Sequence, residues 1–550
     1  MDRDGDLPLG TAPMKSPDRQ ASSHGLEYLA MVLAIAGLGA ASGMNWRTLD
    51  GPIHESEWES SGALPRFAIH RLPARKDLAT SEGTAMTAPL PEGPIQGCLE
   101  DEEPEAEPVF EEVAVPVQAA KTRNGPIGPP RPVMAGPRRV RVGDEFGRAI
   151  VARIYGGPDS RVVTLPDGRL GWPNGMVYTE EKFTPITADE LTRQLQDREY
   201  KHFQVHRTEH YIIFHTCSAP FAEQSGRLLE SLYRGLFKAF KECGLDVHEA
   251  EFPLVAVIFR NESEFREYKA VSPDIQAYYE VLSNRIFFYE TRDREPESPE
   301  VAAMRKPQTV AHEGTHQILQ NIGVQPRLAR WPIWLVEGLA EFCAPPGTIG
   351  GEWAGFGKAN PIHLATIKDL EDPMSLQGRN TALTHRRIAR SLGHSTMQYL
   401  FHCDELSPTD YSMSWAMTHF LATKRSEGFA AYLRAMSQMP PLVLQTAEDQ
   451  ARAFRDAFGD DLQEIGKELH RHMNGMKRLD TLPYYALTFE QPLGDGLVRR
   501  GTIVSQSPLI LRQWLIQMAE GFEAPYIWES FVFTSRAAAF QAAEQWIQGR

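Results

Sequence analysis

Two histidines four residues apart, with a glutamate between them, are the residues of this chain best placed to do chemistry. His312, Glu313 and His316 form the pattern HExxH within Thr309–Gly323. If that segment is helical, positions i and i+4 share a face, so both imidazoles can point at one metal ion. Glu313 then sits beside a metal-activated water and can act as its general base. Zinc lowers the pKa of such a water towards neutrality, which makes hydroxide available at ordinary pH. Two ordinary histidines on a packed helix are the plain alternative, because so short a pattern also arises by chance. A second element weighs against that alternative. Glu337 lies 21 positions after His316, in Trp331–Phe342. A helix returning there can present a third ligand, giving a His2Glu set with one position left for water. Glu341 is one turn further along the same face. It can accept a hydrogen bond from a ligand imidazole and so fix its tautomer.

The elements that must position these groups are legible in outline. Pro307 suits the first turn of the motif helix, where a missing N–H costs nothing, and Gly323 suits its stop. Val310, Ile318, Leu319 and Ile322 supply apolar positions for burial. The second helix is bracketed by Pro332 and by Pro345–Pro346. Upstream, Ala149–Tyr155 and Arg161–Leu165 alternate like short strands, and Asp167–Gly168 marks a turn. This predicts a small β-rich module over 136–186. A helix is expected at Thr187–Arg198, a strand at His210–Thr216, and a long amphipathic helix at Ala222–Cys243. Pro253–Arg260 reads as a buried strand. Ala277–Glu290 reads as two strands around a Ser283–Asn284 turn. The mixture indicates an α+β domain. Ala447–Met473 reads as one charged amphipathic helix that packs as support. His419 is expected in the core or beside the site. His385, Arg386, Arg387 and His394 read as a solvated basic face. Gly494–Gly496 is a turn signal. The segments Tyr484–Phe489, Glu529–Phe533 and Arg536–Gln548 read as a small C-terminal α/β module over 476–550.

Composition narrows the class. The 550 residues predict several domains, and 42% apolar residues can build a sizeable core. The net charge is −15, which argues against a general nucleic-acid binder. The five cysteines (Cys98, Cys217, Cys243, Cys343, Cys403) are scattered without CxxC spacing, so neither a disulfide framework nor a cysteine zinc site is supported. Residues 1–135 hold 16 of the 40 prolines and 20 acidic against 11 basic residues, a balance of −9 that leaves −6 for the other 415. Eight acidic groups fall within Glu100–Glu112, and a Pro/Gly-rich stretch follows through Val133. Residues 46–135 therefore read as a disordered, solvated spacer, with an acidic interaction tail as the sharper alternative. Tyr28–Met44 is an uncharged run of 17 residues, which makes 1–45 a leader or membrane anchor and predicts export or tethering, with a buried helix as the alternative. Met14 is a second possible start.

The paired motifs carry a resemblance. His312–His316 followed by Trp334–Phe342 (WLVEGLAEF) resembles the gluzincin clan of zinc peptidases, whose aminopeptidase members carry a similar WLxEGxA element. The match is closer to a family of bacterial proteins with a peptidase-MA-like domain, and it runs from about His210 to Leu433. It takes in the HYIIF strand, PLVAVIF, AYYEVLSNRI and Tyr411–Leu421. The segment Val162–Trp172 is similar to the β-rich region that precedes this domain in such proteins. The resemblance implies a zincin-like catalytic domain over 187–475 and one Zn2+ per chain, held by His312, His316 and Glu337. It implies Glu313 as base and proton shuttle. It also implies a downstream tyrosine that donates to the oxyanion, for which Tyr411, 74 residues after Glu337, is the candidate; a tyrosine packed at a helix start is the alternative. In zincins an edge strand pairs with extended substrate, and Ala277–Glu290 can supply it, with Tyr278, Tyr279 and Asn284 as possible cleft residues; an ordinary hairpin is the alternative. A GxMEN-type segment, which anchors the substrate N-terminus in aminopeptidases, is missing upstream, so aminopeptidase specificity is not implied.

The expectation is thus an exported or membrane-anchored zinc metallopeptidase acting on a peptide or protein substrate, with no nucleic-acid partner and residues 28–44 as a possible tether. A metal hydrolase of another amide or ester is the first rival. A non-catalytic cell-surface binding protein with a structural or vestigial metal site is the second. Retention of Glu313 counts against the second, because a structural site needs ligands but no base.

Overall fold

The computed structural model describes residues 138–548 except 144–147, 158–159, 272–274, 292–298, 346–347, 350–351, 354, 371–393, 444–445, 478–481, 495–496, 513 and 515–526. The apolar run 28–44, the spacer 46–135, residues 385–387 and most of the Gly494–Gly496 turn lie outside the described residues. No helix among the described residues is long and apolar enough to cross a membrane.

The first described elements form a small antiparallel sheet. Its strands are β1 (Arg139–Gly143), β2 (Ala149–Ile154), β3 (Val163–Thr164), β4 (Leu170–Gly171) and β5 (Val177–Tyr178), in the order β4-β3-β2-β1-β5. Alternation turns Val140, Val142, Ala152 and Val163 into its own small core. At the expected Asp167–Gly168 turn, Gly168 takes φ +82°, and a β-carbon there would meet the Phe252 ring at 2.9 Å, so only glycine fits.

A second sheet follows and carries the site. Helix α1 (Ala188–Arg198) is capped by Thr187, whose side chain accepts from the Glu190 N–H. Then come β6 (Gln204–Arg207), β7 (Tyr211–His215), α2 (Ala219–Glu242), β8 (Leu254–Asn261), α3 (Glu262–Tyr268), β9 (Ala277–Glu280) and β10 (Arg285–Thr291). The order is β6-β7-β8-β10-β9, with β7, β8 and β10 parallel and the two edge strands antiparallel to their neighbours. Strand β8 is apolar on both faces because the sheet is covered on both. Leu254, Ala256 and Ile258 enter the large core, while Val255, Val257 and Phe259 pack with Leu191, Leu195 and Phe265. The β9–β10 turn falls at Asn284, which takes φ +60°.

Helices α4 (Pro299–Asn321) and α5 (Ile333–Cys343) bear the motifs. The two-residue strands β11 (Thr348–Ile349) and β12 (Glu352–Trp353) pair with each other. Next are α6 (Pro361–Leu370), α7 (His394–Phe401), α8 (Pro408–Lys424), α9 (Ser426–Ser437), α10 (Ala447–Phe458) and α11 (Leu462–Gly475). The chain ends in β13 (Tyr484–Gly494), β14 (Leu497–Ser505), β15 (Ile527–Phe533) and α12 (Arg536–Ile547), with sheet order β14-β13-β15. The fold is α+β. Two expectations are corrected. Helix α4 starts at Pro299, so Pro307 lies inside it and not in its first turn. The chain before Pro307 is rich in helix formers (Glu300, Ala302, Ala303, Met304), and they extend the helix across the one N–H that proline removes. Ala447–Met473 is two helices and not one, broken where Gly459 takes φ +91° and Asp461 caps the second helix.

Candidate metal centre

Helix α4 is held rigidly over the sheet. The Gln317 amide donates to the carbonyls of Val255 (3.1 Å) and Asn284 (2.7 Å), tying the helix to β8 and to the β9–β10 turn. Gly314 faces α2, where a β-carbon would lie 2.7 Å from Leu229 Cδ2. This fixes the opposite helix face, which carries His312 and His316. Helix α5 crosses close to α8. At Gly338 a β-carbon would collide with Thr418 Oγ1 and lie 2.6 Å from the Ser414 carbonyl. The glycine beside Glu337 is therefore what lets the helix of the third candidate ligand pack against α8, which carries Tyr411 in its first turn.

The structure brings the sequence-predicted ligands together. His312 Nε2 and His316 Nε2 are 3.1 Å apart, and Glu337 Oε2 lies 3.2 Å from the first and 3.6 Å from the second. Tetrahedral donors about 2.0–2.1 Å from a zinc ion lie roughly 3.4 Å from one another, so the three atoms fit the corners of one coordination sphere. Among the described residues no fourth His, Cys, Asp or Glu joins them. Glu341 Oε1 lies 3.2 Å from His312 Nδ1, on the ring edge away from the cluster. That contact takes up the Nδ1 hydrogen, so Nε2 is the ring atom that would face a metal.

The electrostatics follow from three carboxylates gathered in a buried place. Burial works to lower the His312 imidazole, but Glu341 and Glu337 outweigh it and hold it well above its usual value. Burial pushes the Glu337 carboxyl up, yet His316 and His312 bring it down to about 2. Glu341 is likewise held well below the carboxylate range, against burial, by His363 and His312. The site is thus a buried anionic pocket that favours a cation. Glu313 behaves differently. Burial raises its carboxyl, Glu337 adds to the rise, and the two histidines and a hydrogen bond from the Tyr279 N–H only partly offset it. Burial, then Glu337, Glu341 and Glu313, hold the Tyr411 phenol well above its usual value, so it stays protonated; Arg512 opposes the rise. Tyr411 lies in the first turn of α8 and is partly exposed.

Other residues named from sequence fall elsewhere. Tyr278, Tyr279 and Asn284 are not cleft residues. All three are buried, and the Tyr279 hydroxyl donates to Asn284 Oδ1 (2.9 Å), which also accepts from Asn321 (2.8 Å). The sheet is covered on both faces, so alternation along β9 separates two cores and not a core from a cleft. His419 is buried against His472 (3.0 Å) and Gly357 O (3.1 Å), away from the ligand set. Two residues at the site have no sequence signal of their own. Gln308 donates to Glu341 Oε2 at 3.0 Å, and His363 Nε2 approaches the same oxygen at 2.7 Å. Gln308 is one helical turn before His312, which puts it on the same helix face but marks no chemistry. His363 is a lone histidine on a different helix.

A family model described as "Protein of unknown function (DUF1570)" matches residues 306–443, a stretch that holds the three candidate ligands, Glu313, Glu341, His363 and Tyr411. No curated protein matches the chain.

Proposed function

We propose that this chain is a zinc-dependent peptidase of the gluzincin type, with a zincin-like catalytic domain, that hydrolyses peptide bonds. The observation that carries this reading is the convergence of His312 Nε2, His316 Nε2 and Glu337 Oε2 within one coordination sphere, with Glu313 half-buried on the helix of the two histidines. When bound by these residues, zinc supplies a Lewis acid that lowers the pKa of water towards neutrality. Glu313, whose carboxyl is raised, accepts the proton of the attacking water and later delivers it to the leaving amine. Tyr411, kept protonated, donates a hydrogen bond to the oxyanion that develops on the carbonyl. Strand β9 is the edge of its sheet and its Tyr279 N–H reaches Glu313, which suits an extended peptide laid along the centre by strand addition. The proposal includes an exported or membrane-tethered location, on the strength of the apolar run 28–44.

Glu313 also separates this reading from a purely structural metal site, which needs ligands and no base. The test is hydrolysis of a peptide library by the zinc-loaded chain and by Glu313→Gln. The wild type should cleave, and the variant should keep its zinc but lose about 10²–10⁴-fold in rate, the usual worth of a general base. Full activity in Glu313→Gln would sink the mechanism.

A further inference from the structure

The centre is backed by a hydrogen-bonded chain that runs from α8 through α6 and α5 to α4. Ser412 Oγ lies 2.9 Å from His363 Nδ1, His363 Nε2 lies 2.7 Å from Glu341 Oε2, and Glu341 Oε1 lies 3.2 Å from His312 Nδ1. A carboxylate can only accept, so His363 Nε2 must carry the hydrogen. The Nδ1 of a neutral His363 is then an acceptor, and the Ser412 hydroxyl is the donor that meets it. The ring is locked in plane as well. His363 is 2% exposed and stacks on the fully buried Trp415 at 5.7 Å between centroids and 27° between planes. Its helix start is fixed by Asn360, whose side chain accepts from the N–H groups of Ile362 (3.1 Å) and His363 (3.3 Å). Pro361 opens that helix with its pre-set φ.

We infer that His363 is a positioning residue of the metal centre: by donating Nε2–H to Glu341 it orients that carboxylate to accept from His312 Nδ1, and so aims His312 Nε2 at the metal. The inference rests on the metal-centre reading above. The logic is that of an outer shell. A glutamate side chain has three rotatable torsions, and a single contact to His312 would leave it free to turn away. His363 and Gln308 grip the second oxygen from two other directions, which leaves Oε1 with His312 as its partner. Such outer partners are worth about 10–100-fold in metal affinity.

The amide isosteres of the two ring nitrogens make the test. In His363→Gln the side-chain amide reaches the Nε2 position and can still donate to Glu341. In His363→Asn the amide reaches only the Nδ1 position and keeps Ser412 but loses Glu341. Zinc alone is titrated into the metal-free full chain against a chromophoric chelator, for wild type, both variants, Ser412→Ala and His312→Ala. The expected result is binding within about threefold of wild type for His363→Gln and about 10–100-fold weaker binding for His363→Asn. Cobalt in place of zinc should show an altered visible spectrum in the Asn variant only. Equal affinity in all the His363 variants overturns the inference, and so does equal weakening in Gln and Asn, which would make His363 a packing residue. If His363→Asn does not fold, Ser412→Ala decides: it removes one hydroxyl, and the inference requires several-fold weaker zinc binding from it. Zinc binding by the wild type that is unchanged in His312→Ala overturns the metal-centre reading as a whole. Wild-type binding lost in His312→Ala but untouched in His363→Asn overturns only the role given to His363.

Discussion

At the scale of single residues, the centre separates its carboxylates by environment. Glu337 and Glu341 are pressed down by neighbouring histidines, whereas Glu313 is raised by burial and by Glu337. Groups driven apart in this way can take different roles, two as fixed anions and one as a proton carrier. Tyr411 is the fourth member. Burial raises its phenol and all three carboxylates add to the rise, which keeps the hydrogen it would donate. Tyr411→Phe should leave zinc content unchanged and lower kcat by about 10²–10³, the worth of one oxyanion donor, with little change in KM. Steady-state kinetics on a cleaved peptide decide this; an unchanged kcat would return Tyr411 to a packing role. The residues legible from sequence are those whose relation is local. His312, Glu313 and His316 share one helix, and Glu337 and Glu341 share another, so spacing alone places each set on a face. His363 was not legible, because its contact with Glu341 exists only once α6 is packed against α5.

At the scale of elements, the approach of α5 to α8 is the tightest constraint on the site. Gly338 leaves no room for a β-carbon, since the atoms it would meet include the Ser414 carbonyl, which cannot swing aside as a side chain can. Gly338→Ala should therefore push the helices apart, cost about 1–3 kcal/mol by overpacking, and weaken zinc binding through the adjacent Glu337. Thermal unfolding and a zinc titration of the variant test both parts; wild-type values in each would contradict the packing account. Element types were legible where the period was clear, as for α2, β8 and the β9–β10 hairpin. Boundaries were less so. Pro307 looked like a helix start because proline is favoured there, but the run before it was helical enough to absorb the missing N–H. Gly459 was a visible breaker inside a continuous apolar pattern, and the break won because Asp461 offers a new cap.

At the scale of the whole molecule, the C-terminal strands share the site's foundations. Leu482, Tyr485, Leu487, Phe489 and Ile503 lie in the same apolar core as Trp334, Leu335 and Trp415. The docking is also polar and buried. Ser505 Oγ and the Gln506 N–H donate to Asp369 Oδ2 at 2.6 and 2.9 Å, and Thr366 Oγ1 lies 2.6 Å from Ser507 Oγ. Both Thr366 and Asp369 are on α6, the helix that carries His363. Strands and a helix are legible in this segment but its attachment is not, because the contacts join residues more than a hundred positions apart. Asp369→Ala removes the buried acceptor that Ser505 Oγ and the Gln506 N–H share, at a cost of about 1–3 kcal/mol. It should lower the unfolding midpoint of the chain's one cooperative transition. A separate early melt of 482–548 with the remainder unchanged would show two independent units.

The central claim is that one metal ion belongs between α4 and α5, and the metal content of the purified full chain tests it most directly. Elemental analysis should find about one zinc per chain in the wild type and far less in His316→Ala and Glu337→Ala, each checked for native helical content. A wild type that takes up no zinc when offered it, or ligand variants that hold as much as the wild type, would contradict the account.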